Sequence, residues 1–160
     1  MEPRITTFPE TILVGMKATM SVANMQQPAL WGRFMPQHAR INHRVGADFY
    51  SVSQYPDADY FVNFSPTRSF VNWAAVAVRS AEQLPEGMEA LTIPAGQYAV
   101  FNFKGTAKEV GKLFQHVYGT WLPQSGYALE QRPHMAIMPP GYRPDDPEAE
   151  ETIWVPITSK

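Results

Sequence analysis

The residues in this chain best suited to chemistry are aromatic rather than nucleophilic. Trp31, Trp73, Trp121 and Trp154 are of the type that stacks on a planar ligand or holds a cation over a ring face. Trp121 falls on an apolar helical stripe and reads as core; Trp31, Trp73 and Trp154 stand equally as core and as pocket lining. The eight methionines suit an adaptable surface, although singly such residues are ordinary core filler. His38, His43, His116 and His134 lack a ligand spacing such as His-x-x-x-His, so no metal site is expected. There is no cysteine, which removes disulfides, thiol catalysis and thiolate metal sites. No Gly-x-Ser-x-Gly elbow, P-loop or Gly-x-Gly-x-x-Gly turn is present, and no cofactor is expected. The acidic run Asp145–Glu151 reads as a solvated loop rather than a calcium site.

The elements that must position these groups are clearest between Ile93 and Tyr127. Tyr98, Val100 and Phe101 lie in a β-branched and aromatic run after Gly96, which suits a strand. Gly105 permits a turn, and Thr106 and Glu109 then have capping-box spacing. Val110, Leu113, Phe114, Val117, Tyr118, Trp121 and Leu122 follow at spacings that put all seven on one helical face. Pro123 and Gly126 end that helix. The same order of elements occurs earlier. A strand near Ile12–Val22 precedes a helix carrying Leu30, Trp31, Phe34, Met35 and His38, then strands near Phe49–Ser53 and Phe70–Arg79. That helix is expected to start near Asn24 and to end or kink at Pro36. The second half offers Gln97–Phe103, the capped helix, Met135–Met138 and Thr152–Ile157. The pattern predicts one domain of two strand–helix–strand–strand halves, about 1–80 and 91–160, joined by a linker at 81–90.

Composition narrows the class. The 160 residues are 44% hydrophobic and 18% charged, enough to bury a core, and the net charge is −2. With no cluster of Lys and Arg, direct nucleic-acid binding is not expected. No apolar run reaches the length of a membrane span, and MEPRITTFPE lacks a basic-then-apolar leader pattern, so a cytoplasmic protein is expected. The fifteen prolines are dispersed, with clusters at Pro139–Pro140 and Pro144–Pro147 that mark loops.

Five segments, in order, resemble the GyrI-like small-molecule-binding family, the effector-binding domains of AraC-type and MerR-type multidrug regulators. They are EPRITTFPETILVGMKATM, ALWGRFMPQ, IPAGQYAVF, TWLPQSGYAL and ETIWVPI, which together span nearly the whole chain. The resemblance implies an α+β fold of two pseudo-symmetric halves. Their strands would form a curved antiparallel sheet with the helices on one side and a ligand cleft between the halves. The chain then reads as a stand-alone effector-binding module that senses or sequesters an aromatic or amphipathic compound, cationic or not, with homodimerisation left open. Two alternatives remain: a hydrolase of a small reactive ligand in the same cleft, and a macromolecule-binding protein like the gyrase-inhibiting namesake.

One departure bears on chemistry. Many family members carry a cleft glutamate in a Phe-Glu-x-Tyr pattern; matched to PHMAIM, that pattern places Ala136 at the acid and Met138 at the tyrosine. The missing acid argues against an enzyme and against a fixed preference for cations. The duplication matches Asp48 with His134. By strand alternation Asp48, Tyr50 and Val52 share one face, and His134, Ala136 and Met138 share one. Asp48 is a candidate replacement acid, the plainer reading being that it caps the start of a strand. The expected ligand-binding set is therefore Trp31, Asp48, Tyr50, Trp73, His134, Met138 and Trp154.

Overall fold

The computed structural model describes residues 2–57 and 59–160. Among the described residues are nine strands: β1 Arg4–Phe8, β2 Thr11–Ser21, β3 Phe49–Gln54, β4 Ser69–Val78, β5 Glu89–Ile93, β6 Gly96–Lys104, β7 Tyr127–Leu129, β8 His134–Met138 and β9 Glu150–Ser159. All pairings are antiparallel. The main path runs β1-β6-β9-β8-β3-β4-β2-β5, and β7 adds to β9. This order reads the same from both ends once β1, β2, β3 and β4 are matched with β5, β6, β8 and β9. The two halves meet at the central β3–β8 pair. Each also lends its first strand to the other: β1 pairs with β6, and β5 with β2. The α+β fold with a curved antiparallel sheet is therefore as expected, with an additional opening strand in each half.

The sheet is strongly curled. Only Pro9 and Glu10 separate β1, at one end of the path, from β2, its seventh member. Two residues bridge at most about 11 Å. Pro94 and Ala95 make the equivalent link from β5 to β6. The ends of the path must therefore approach one another, and side chains from all along it share one interior cluster: Phe8, Leu13, Val52, Trp73, Ile93, Tyr98 and Met135. β2 and β4 run so close at Gly15 that a Cβ there would fall on the carbonyl oxygen of Ala74.

The helices cover the opposite face. α1, Gln27–Phe34, begins three residues later than Asn24 because Pro28 takes its first turn, and Pro36 converts its continuation into a 3-10 turn, Met35–Arg40. Leu30 and Phe34 pack on Val14, Ala74 and Val76. α2, Val110–His116, follows a 3-10 turn at Ala107–Glu109. The predicted capping box is formed: the Thr106 N–H donates to Glu109 Oε1 at 3.1 Å. Leu113 and Val117 pack on Phe101, Ile153 and Val155.

The seven-residue stripe does not run as one regular α-helix. Val117–Trp121 is a π turn, followed by an α turn at Leu122–Gln124. The wider turn directs Tyr118 toward β8 and Trp121 toward Phe101 and Tyr127, while Phe114 is left exposed. π turns of this kind recur at functional sites.

Candidate functional site: an aromatic box over the central strands

Register fixes which side chains rise from the central pair toward the helices. Ser53 lies opposite His134, Ser51 opposite Ala136 and Phe49 opposite Met138. Phe49 packs in the α1 cluster and Ala136 in the α2 cluster, so this row faces the helices. Between α1 and α2 the row is roofed by aromatic rings. Phe61 stacks on Tyr118 with centroids 4.4 Å apart and planes 13° from parallel. Tyr55 meets His134 edge-on at 4.8 Å and Phe61 at 4.8 Å, and Phe61 lies 5.4 Å from His134. Beside this box lies a cavity of about 10 Å³, lined in part by Tyr55, Asp57, Phe61, Arg132 and His134. That is about the room one water needs.

Polar groups floor the box. The Tyr118 hydroxyl and His134 Nδ1 are 2.9 Å apart, the direction of donation depending on the tautomer. The Tyr55 hydroxyl bonds to Ser53. Asn72, fully buried on β4, donates through Nδ2 to the Val52 carbonyl at 3.1 Å and reaches the hydroxyls of Ser51 and Ser53 at 3.3 and 3.1 Å. The Val52 carbonyl can only accept, which fixes the orientation of the amide. Asn72 Oδ1 is left without a hydrogen-bond partner. A buried unpaired carbonyl oxygen is costly and calls for a donor.

The electrostatics keep the floor neutral. The rings of Tyr55, Phe61 and Tyr118 enclose the imidazole of His134, and that burial, aided by the charge of Arg132, holds its pKa down to about 3. Burial pushes Tyr55 up to about 12 and Tyr118 well above the usual phenol range. At neutral pH both hydroxyls carry their protons and the imidazole carries no charge. Asp57, beside the small cavity, is tied to Arg68 at 3.0 Å. Burial also raises the pKa of Glu151, with the Tyr142 hydroxyl opposing that shift. Glu150 and Glu151 open β9 rather than closing a solvated loop, which corrects the reading of the acidic run.

The residues expected from sequence to bind ligand do not form one site. Trp31, His134 and Met138 lie on the helix-covered face, Trp31 edge-on to Phe34 and Phe49 at 5.7 and 6.3 Å. Tyr50, Trp73 and Trp154 lie on the interior face. Trp73 is 3% exposed and donates from Nε1 to Gln54 Oε1 at 2.7 Å. Trp154 donates to Thr152 Oγ1 at 2.8 Å and packs edge-on against Phe8 and Tyr98. Trp73 is a satisfied core member, and Trp154 is half-buried against the same cluster with its N–H satisfied. Asp48 precedes β3, is exposed, and its carbonyl accepts from Arg44 at 3.4 Å. Only His134 belongs to the box.

Sequence reasoning passed over Tyr55, Phe61, Asn72 and Tyr118. Signals for them existed. Residues 55–70 hold Tyr55, Tyr60, Phe61, Phe64 and Phe70, an aromatic density unusual for a connection, and Asn72 interrupts the apolar run FVNWAAVAV. Tyr118 was on the helical stripe, but the π turn that aims it cannot be read from periodicity.

Two interlocked halves on a curled antiparallel sheet, with one helix on each, make a fold shared with a known class. The profile of the GyrI-like small molecule binding domain matches residues 1–158, and the chain belongs to that family. It is 28% identical over 160 residues to the transcriptional regulator BrlR of Pseudomonas aeruginosa, covering 98% of this chain and 56% of that protein. It therefore spans little more than half of that relative's length. Among solved structures, SAV2435 bound to tetraphenylphosphonium superposes with a TM-score of 0.73 at 18% identity, over 99% of this chain and 94% of that one. A hydrolase encoded by lin2189 from Listeria innocua shares the fold, with a TM-score of 0.61 at 8% identity over 98% and 92% of the two chains.

Proposed function

We propose that this protein is a small-molecule-binding module whose ligand occupies the aromatic box between α1 and α2, and that it acts as a sensor or sequestering unit rather than as an enzyme. The observation that carries this reading is the convergence of Tyr55, Phe61, Tyr118 and His134 over a polar floor at the junction of the two halves. Ring faces and edges provide apolar area for an aromatic or amphipathic compound, and the buried hydroxyls, imidazole and amide provide its orientation. Among the described residues the carboxylates nearest the box are Asp57, tied to Arg68, and Glu130, both lining the adjoining cavity, so shape and apolar area select the ligand and a positive charge is accommodated chiefly by the ring faces. The domain in this reading is the whole chain, with the two halves expected at about 1–80 and 91–160 acting as one unit. A cytoplasmic location and a binding role independent of nucleic acid accompany it.

The tetraphenylphosphonium in the SAV2435 complex supports the choice of an aryl compound, and the family description supports a small-molecule ligand. The hydrolase reading has less behind it: Ala136 stands where the family acid is expected, and the tyrosine hydroxyls nearby are held protonated. The test is a thermal-shift screen of the full chain against tetraphenylphosphonium, 4-phenylphenol and 1-naphthoate, repeated on Tyr118→Ala. A ligand that binds the native state raises the melting temperature. At least one compound should do so in the wild type, and the shift should vanish in the variant. A shift that survives Tyr118→Ala places the ligand elsewhere and defeats the assignment.

A further inference from the structure

We propose that Phe61 is a built-in occupant of the ligand's ring slot, and that a ligand's aryl group binds by replacing the Phe61 ring against Tyr118. The proposal rests on the reading of the box as the ligand site and specifies how that site is filled. The Phe61 ring fills the slot: Tyr118 lies face-on to it at 4.4 Å, and Tyr55 meets it edge-on at 4.8 Å. With Phe61 in place the cavity beside the box holds about 10 Å³, too little for an aryl group. A phenyl ring is also a poor match for what lies beneath. The floor holds the Tyr118–His134 pair and the network that ends in the unpaired Asn72 Oδ1, and a phenyl ring can neither donate to nor accept from them.

Phe61 is placed to leave. It sits in a turn, and the backbone bonds of that turn, Val62 N–H and Asn63 N–H to the Asp59 carbonyl at 3.1 and 2.9 Å, are internal to it. Asn63 Nδ2 returns to the Asp59 carboxylate at 2.8 Å. One anchor lies inside the turn, at Tyr60, and one beyond it, at Pro66. Tyr60 is buried with Arg68 over its ring, and Ala23 N–H donates to the Pro66 carbonyl at 2.8 Å. Phe61 can therefore swing out by releasing the Val62 and Asn63 amides from the Asp59 carbonyl while Tyr60 and Pro66 hold. Its neighbours Val62, 79% exposed, and Phe64 are already in solvent, so Phe61 expelled would join them in one apolar tip. Ligand occupancy would then be displayed on the surface.

Affinity in such a site is reduced by the fraction of molecules in which the slot is open. If about one molecule in ten has Phe61 out, removing the ring tightens binding about tenfold. The experiment is calorimetric titration of tetraphenylphosphonium and 4-phenylphenol into the full-length wild type and into Phe61→Ala. It is paired with hydrogen exchange at the Val62 and Asn63 amides of the wild type, with and without saturating ligand. The expected result is tighter binding to Phe61→Ala, together with faster exchange at those two amides in the ligand-bound wild type. Equal or weaker binding to Phe61→Ala, or slower exchange at those amides, makes Phe61 a wall of the site and overturns the proposal while leaving the ligand site standing. If Phe61→Ala does not fold, the exchange measurement on the wild type decides alone. If neither compound binds either protein, the proposal and the reading of the box both fall.

Discussion

His134 makes the stability of this protein depend on pH. In the unfolded chain its imidazole titrates near 6.5; in the folded chain burial and Arg132 hold it to about 3. Between those values the unfolded state binds a proton that the folded state does not, so stability falls as pH falls below the unfolded value. Going from pH 7 to pH 5, the linkage relation with these two values gives a loss of about 2 kcal/mol, because the unfolded imidazole becomes almost fully protonated while the native one stays neutral. Other groups titrate in the same window. His38, lowered by burial and by Arg44, adds to the loss, and Glu151, raised by burial, opposes it because the folded state then holds the extra proton. His134→Gln keeps a polar group beneath Tyr118 and removes only the imidazole. Urea unfolding at pH 7 and pH 5 on both proteins isolates the contribution: the wild type should lose about 2 kcal/mol more than the variant. The same loss in both proteins would show that His134 ionises in the folded state at an ordinary pH. The enclosure of its ring by Tyr55, Phe61 and Tyr118 would then not exclude water, and the box would be an open surface.

Three further outcomes follow from named contacts. Gly15→Ala drives a Cβ into the Ala74 carbonyl between two paired strands, and should cost about 3 kcal/mol, read as a lowered urea midpoint; a change below 1 kcal/mol would show that β2 and β4 separate freely there. Trp73→Ala empties a core position and leaves Gln54 without its indole donor, so it should destabilise by about 3–5 kcal/mol; a stable variant with weakened ligand binding would return Trp73 to the site. Asp48→Asn, at an exposed position away from the box, should leave the affinities for N-methyl-4-phenylpyridinium and its neutral analogue 4-methylbiphenyl unchanged, whereas a cation preference that disappears in the variant would make Asp48 the charge-selecting group.

Much of the architecture was legible because it is written in local signals. The β-branched and aromatic run after Gly96, the capping box at Thr106 and Glu109, and the stops at Pro36 and Gly126 each act within a few residues. The repeat of element order then implies the two halves. The opening strands β1 and β5 carry no such signal, since each pairs with the other half. The site was legible only in part, for a reason of register. Matching Asp48 with His134 differs by an odd number of residues from the observed arrangement, in which Val52 and Met135 share the interior face. An odd slip moves every side chain to the opposite face, so His134 was grouped with Tyr50, Trp73 and Trp154, from which the sheet itself separates it. Phe61 and Tyr118 meet only through the tertiary fold, one from a connection and the other from a π turn, and no spacing in the chain announces their stack.

The central claim is that ligand binds on the helix-covered face, at the junction of the halves. Intermolecular nuclear Overhauser effects between a bound aryl ligand and the protein's assigned aromatic rings test it most directly. The account predicts contacts to Tyr118, Tyr55 and His134. Contacts to Tyr50, Trp73 and Trp154 instead would place the ligand on the interior face and contradict it.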